Sequence, residues 1–408
     1  MTPEHRAVEA VWRIESARVV AGIARLVHDV GIAEELAQDA LVAALEQWPV
    51  EGVPNNPGAW LMTIGRRRAI DLIRRNERLT RKLAELVGQV HDESEPELDG
   101  IEDDLLRLVF TACHPVLSAE ARVALTLRVL GGLTTQEIAR AYLVAEPTVA
   151  QRIVRAKRAL ADAGVPFELP APAERAERLA SVLEVIYLIF NEGYSATAGD
   201  DWMRPALCEE ALRLGRILAQ ILPREPEVHG LVALMEIQQS RAGARVGPAG
   251  EPVLLLDQDR ARWDRLLIRR GLAALERAEA LGGPLGPYAL QGAIAACHAR
   301  ARTAEETDWE RITVLYAGLA RVAPSPVVEL NRAVAIAMAF GPATGLQVVD
   351  RLADEPALAG YHFLPSVRGE LLAKLGRLDE ARLEFERAAA LTRNNRERDL
   401  LLARAAAC

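Results

Sequence analysis

An all-α protein is predicted, with two small helical modules followed by a longer helical extension. Three observations carry this expectation. Alanine, leucine, arginine and glutamate dominate, aromatic residues make up only 4%, and runs of β-branched residues are scarce, a bias towards helix. Apolar residues recur at helical spacing in segment after segment. A chain of 408 residues also exceeds one ordinary core, so several domains are expected. Breaks rich in Gly, Pro and acidic residues divide it: a first module at 5–87, an acidic linker at 88–104, a second module at 105–164, a second linker at 165–178 and the extension at 179–408.

In the first module, residues 32–48 form an amphipathic helix with Leu36, Ala40, Ala43 and Ala44 inward and Glu35, Gln38 and Asp39 outward. Residues 49–57, including Pro54-Asn55-Asn56-Pro57, read as a loop, and a second helix follows over 58–75. From Arg66 to Lys82 there are eight basic residues and two acids, a density able to neutralise several phosphates and to make binding steeply salt-dependent. A basic helix alone fits a solvated face or a membrane surface equally well. Trp60, at the start of that helix, is expected to anchor the core, with base stacking as the alternative.

The second module reads as a helix-turn-helix. Thr134 is placed to cap a helix, with Glu137 three residues on as in a capping box. Residues 143–146 make the turn, and Pro147 suits the first turn of the next helix, where its missing N–H costs nothing. In that helix Val149, Ile153, Ala156 and Leu160 share one face; Thr148, Gln151, Arg152, Arg155, Lys157 and Arg158 occupy the other. A recognition helix needs this division. Gln151 and Arg152 are the candidates for base readout, because amide and guanidinium groups pair bidentately with adenine and guanine edges. Arg155, Lys157 and Arg158 are placed to hold phosphates.

The extension carries a weak repeat. Residues 331–346 and 368–381 each read as a helix, a glycine turn (Gly341, Gly376) and the start of a second helix, near the roughly 34-residue spacing of tetratricopeptide repeats. Residues 289–301 and 308–322 are an irregular earlier unit. The segment Asn191-Glu192-Gly193-Tyr194 ends an apolar run. It is expected to be a helix cap with Gly193 left-handed; the alternative is a docking contact or the lining of a ligand pocket.

Bulk properties narrow the function. The net charge of −8 argues against nucleic acid only as an average, because the basic residues are clustered. Cys113, Cys208, Cys297 and Cys408 are scattered, as expected for reduced thiols in a cytoplasmic protein. No leader-like start and no membrane-length apolar run is present, so no membrane partner is expected. The sequence lacks a Gly-rich phosphate loop, a serine nucleophile elbow and a His-Glu-x-x-His helix, so neither enzyme chemistry nor a cofactor is expected. Cys113-His114 and Cys297-His298 are adjacent pairs that cannot enclose a tetrahedral metal, and structural roles are expected instead.

Residues 33–40, Trp60-Leu61 and 66–75 resemble region 2 of the sigma-70 family of RNA polymerase sigma factors, especially its extracytoplasmic-function branch; residues 117–160 resemble its region 4. The remainder resembles the subgroup with a long tetratricopeptide-like extension, through residues 110–115, 187–194 and 307–309. The resemblance implies core RNA polymerase and promoter DNA as partners. It implies that Glu35, Gln38 and Asp39 grip the polymerase clamp helices. It places −10 recognition and strand opening at Asn55, Asn56, Arg66, Arg67, Arg68, Asp71, Arg74 and Arg75. The −35 element falls to Thr148, Gln151, Arg152, Arg155, Lys157 and Arg158. Arg67 stands where many relatives have Asn, which leaves the −10 preference open. The extension is expected to regulate the sigma modules in cis, through contact with them or with the polymerase. The competing reading is a helix-turn-helix regulator with a helical sensor or protein-interaction domain.

Overall fold

The computed structural model describes residues 3–84, 101–142, 144–196, 202–248 and 250–408, and it divides into two compact units, Met1–Leu188 and Ile189–Cys408. The described residues are helical, apart from turns, loops and one isolated bridge between Val246 and Pro252. Most of the acidic linker, 88–100, lies outside the described residues, as does Leu143 of the helix-turn-helix turn.

In the first unit α1 (Pro3–Val27) packs against α2 (Val30–Glu51), α3 (Pro57–Ala84) and α4 (Ile101–Ala112). Its buried stripe includes Val19, Val20, Ile23 and Ala24. Glycine permits the close approach of α1 and α3: a Cβ on Gly65 would fall 2.5 Å from Ile23 Cδ1. After α1, His28 takes a left-handed φ of +54° and Asp29 returns to extended backbone, where its carboxylate caps α2 by accepting the Ile32 N–H at 2.9 Å. The expected end of this helix at Trp48 is early. Pro49 forfeits one helical hydrogen bond without stopping the helix, which runs to Glu51 and ends at Gly52 with φ +87°. Asn56 then caps α3, accepting the Ala59 N–H at 3.1 Å ahead of Pro57.

The linker's last residues are not loop. They open α4, where Asp104 is buried and lies 3.6 Å from Arg25. The capping box forms as expected at α6 (Thr135–Tyr142): Glu137 N–H donates to Thr134 Oγ1 at 3.1 Å, and Thr134 N–H to Glu137 Oε2 at 2.8 Å. α5 (Ala119–Val129) and α6 support α7 (Glu146–Asp162), whose buried residues are the four expected, Val149, Ile153, Ala156 and Leu160. α8 (Arg175–Tyr194) belongs to this unit as far as Leu188 and satisfies carbonyls at the end of α4. Ser181 donates to Cys113 O at 2.7 Å and Arg178 to Phe110 O at 2.8 Å. The division of the chain therefore falls after Leu188, beyond the expected linker at 165–178.

In the second unit α10 (Pro226–Gln239) is buried on nearly every side and packs against α9 (Pro205–Ile221), α11 (Arg265–Ala280) and α12 (Pro287–Arg300). From α12 onward each helix packs on the next: α13 (Trp309–Val322), α14 (Pro326–Phe340), α15 (Pro342–Arg351), α16 (Phe363–Lys374), α17 (Leu378–Leu391) and α18 (Asn395–Ala406). Gly341 and Gly376 make their turns with φ of +96° and +75°, where the repeat pattern placed them. Phe385, Ala381 and Ala388 of the best repeat unit are buried together. Gly193 departs from expectation. It lies within α8 with no left-handed φ, and its missing side chain admits α9, since a Cβ there would fall 2.6 Å from the Cys208 backbone nitrogen.

Candidate nucleic-acid and polymerase interface

Three helices of the first unit carry the expected functional residues. On α3 the inward positions Leu61, Gly65 and Ala69 are buried, so the helix turns Arg67, Asp71, Arg74 and Arg75 to solvent with Arg66 and Arg68 half-buried beside them. Asn55 and Asn56 are exposed in the preceding loop, although the Asn56 side chain is already engaged as a cap. Trp60 is half-buried and packs edge-on against buried Trp48 at 5.4 Å, the geometry of a core anchor.

On α7 burial of Val149, Ile153, Ala156 and Leu160 leaves Thr148, Gln151, Arg155 and Arg158 exposed and Arg152 half-buried. Arg158 pairs with Asp162 at 3.4 Å across one turn. The carboxyl of Glu120 is held below its ordinary range by its own backbone N–H and the Ser118 hydroxyl, with a smaller contribution from Arg152. Gln151 and Arg155 form no ion pair or side-chain hydrogen bond among the described residues, so their polar groups face solvent.

On α2 the expected inner residue Leu36 is only half-buried. Ala33, Ala37, Ala40, Ala43 and Ala44 form the buried stripe, with Glu34 buried among them. Glu35 and Asp39 are exposed and Gln38 is half-buried. Two of these residues make contacts within the unit: Asp39 pairs with Arg68 of α3 at 2.7 Å, and Gln38 donates to Glu34.

Glu34 is the charged residue among these helices that the sequence did not single out. Its carboxylate accepts from Arg128 Nε of α5 at 2.8 Å and from Lys157 Nζ of α7 at 2.5 Å. Arg128 also donates to the Leu133 carbonyl at 3.1 Å. The Lys157 stem lies over Gly31, where a Cβ would stand 3.4 Å from Lys157 Cδ. One buried carboxylate thus joins α2 to the recognition-type helix, and Lys157 is the one expected phosphate contact that faces inward. A second link, exposed, joins Arg13 of α1 to Glu137 of α6 at 2.9 Å. Burial pushes the Glu137 carboxyl up, but hydrogen bonds from Thr134 and Arg13 outweigh it and leave its pKa below the ordinary value.

One member of each adjacent Cys-His pair is deeply buried. The Cys113 thiol, pushed up to about 11 by burial, lies 3.4 Å from Thr126 Oγ1, and His298 is buried against Trp309. Among the described residues no group of three or more His, Cys, Asp or Glu side chains is placed to hold a metal, and no helix is long and apolar enough to cross a membrane.

Known families align with these modules. Residues 14–79 match the model for sigma-70 region 2 and residues 107–160 that for sigma-70 region 4; residues 178–279 match a family of unknown function, DUF6596. An uncharacterized protein of Rhizobium meliloti is 46% identical over 386 residues, covering 93% of this chain and 90% of the relative. The ECF RNA polymerase sigma factor SigL of Mycobacterium tuberculosis is 32% identical over 161 residues, which is 38% of this chain and 82% of SigL. The probable ECF RNA polymerase sigma factor SigI of the same organism is 31% identical over 160 residues, 54% of its length. With regions 2 and 4 in order on one compact unit, and most of SigL matched, the chain belongs to the sigma-70 family of RNA polymerase sigma factors, in its extracytoplasmic-function branch.

Proposed function

We propose that this sigma factor works in the cytoplasm and divides promoter recognition between α3 and α7 while α2 holds core RNA polymerase. The reading is carried by one observation: a single compact unit presents two exposed cationic helix faces beside a helix that exposes Glu35 and Asp39. Arg66, Arg67, Arg68, Arg74 and Arg75, with Asp71 and the Asn55-Asn56 loop, serve the −10 element. There a base must leave the stack while its strand is held by positive charge. Thr148, Gln151, Arg152, Arg155 and Arg158 serve the −35 element, with Gln151 and Arg152 at base edges and Arg155 and Arg158 at phosphates. Lys157 joins them only when its pair with Glu34 opens, because an ammonium held by a buried carboxylate cannot also neutralise a phosphate. The helical extension tunes this activity in cis.

Run-off transcription with core polymerase tests the reading. A promoter-dependent transcript is expected from the full chain or from a form lacking the extension. Charge reversal of Glu35 and Asp39 to Lys should abolish association with core polymerase while leaving DNA affinity intact. Failure of both forms to associate with core polymerase would overturn it.

A further inference from the structure

The second unit buries three guanidinium groups, with Arg241, Arg245 and Arg260 only 9%, 6% and 6% exposed. They alternate with aromatic rings. Arg245 lies 5.5 Å from the Trp202 ring centroid and 3.5 Å from that of Tyr194. Arg241 lies 5.7 Å from Tyr194 and 5.9 Å from Trp263, and Arg260 lies 5.0 Å from Trp263. Tyr194 closes the Asn191–Tyr194 segment that the sequence marked as either a cap or a ligand contact, and Gly193 is not the cap.

Among the described residues none of these three arginines forms an ion pair, whereas their neighbours Arg204 and Arg216 are paired with Glu192 and Glu236. Arg260 donates to the carbonyls of His298 and Ala301, at 2.7 and 2.9 Å, and to Thr307 Oγ1 at 3.0 Å; Arg245 donates to the Tyr194 carbonyl. These bonds use donors without cancelling charge. Arg241 differs, since its Nε is buried without a partner, as are Trp202 Nε1, Trp263 Nε1 and His298 Nδ1. Aromatic faces attract each cation singly, but three like charges still repel in a low-dielectric interior, and buried donors without acceptors are costly. Among the described residues the cluster is rich in charge and donors and no carboxylate pairs with it; Glu305 and Glu306 act on Arg260 only at a distance. An open cleft of about 400 Å³ reaches Arg260 and is lined as well by Arg265 and Arg302, with Asp259 and Glu305 at its sides.

We propose that the Arg241–Arg245–Arg260 cluster, walled by Tyr194, Trp202 and Trp263, binds a phosphate-bearing small molecule, making the extension a ligand-responsive part of the sigma factor. A phosphoryl group supplies the missing acceptors, matches the fork of a guanidinium and balances more positive charge than a single carboxylate does.

Inorganic phosphate titrated into the full-length protein at constant ionic strength, in phosphate-free buffer, tests the site. A saturable rise in Tm of a few degrees is expected. Arg241→Met, which keeps an apolar stem of similar reach, should abolish the rise. Without phosphate it should melt at or above the wild-type temperature, because a repelling charge has gone. Arg241→Lys should keep a weakened response. The proposal is overturned if phosphate gives no saturable rise, if the rise survives Arg241→Met, or if that variant is destabilised equally with and without phosphate. It is also overturned if succinate stabilises the protein and phosphate does not.

Discussion

Glu34 shows how much one side chain can carry. A carboxylate 6% exposed meets an arginine and a lysine, themselves largely covered, from two other helices. Glu34→Gln leaves those cations facing a neutral amide, and breaking a buried pair in this way costs about 3 kcal/mol. Urea unfolding of the first unit should shift to a lower midpoint, and Lys157, no longer held, should strengthen non-specific DNA binding at low salt; an unchanged midpoint would show the pair to be dispensable. Neither partner was readable from sequence, because Arg128 and Lys157 stand 94 and 123 residues away. The Thr134–Glu137 capping box was readable because it closes within one turn. His298 gives a pH-dependent prediction. Burial, then the charges of Arg241 and Arg260, lower its pKa from 6.5 to about 3. Between those values the unfolded chain takes up a proton that the folded protein refuses, so the stability present above pH about 6.5 is lost as pH falls towards 3, by up to about 1.4 kcal/mol per pH unit. Thermal melts in phosphate-free buffer should show wild type losing stability on acidification more steeply than His298→Asn; parallel curves would contradict the depressed pKa.

Among the helices, α7 was the most legible and α2 the least. The inward set of α7 follows from spacing alone, and the expected DNA face is exposed or half-buried apart from Lys157, which turns inward to Glu34. The stripe of α2 was read as leucine and alanine, yet alanine leaves it shallow enough to accept a glutamate where neighbouring helices supply counter-charges. The loop end of α3 was legible in composition, but the use of Asn56 as a cap was not. The proposed division of roles on α7 makes a prediction. Arg155→Ala should weaken binding to all duplexes alike and lower the slope of log affinity against log salt by about 1, since the proposed role of Arg155 is a phosphate contact. Arg152→Ala should cost about 1–3 kcal/mol on the preferred −35 sequence and much less on others. Fluorescence anisotropy over a salt series separates the two; equal losses on every sequence for both variants would assign both residues to the backbone.

For the chain as a whole, the boundary between its parts decides how the extension can be studied. The order of the two modules and the helical nature of the extension were legible from periodicity and turn residues, but the end of the first unit was not. The Pro-rich stretch at 165–172 looks like a linker, whereas the chain continues into α8 and returns to cover the end of α4 through Arg178 and Ser181 and to pair Glu184 with Arg122 of α5. A truncation after Ala163 therefore removes structure from the sigma unit itself and leaves the carbonyls of Phe110 and Cys113 without these donors. A truncation after Leu188 retains them. The shorter form is expected to melt below the longer one, with Cys113 newly reactive towards a thiol reagent because the cover over its segment has gone. Only the longer form is a fair test of regulation. If the extension tunes the sigma unit, residues 1–188 and the full chain should bind core polymerase with different affinity or initiate at different rates from the same promoter. Identical transcription by those two forms would make the extension a separate activity carried on the same polypeptide.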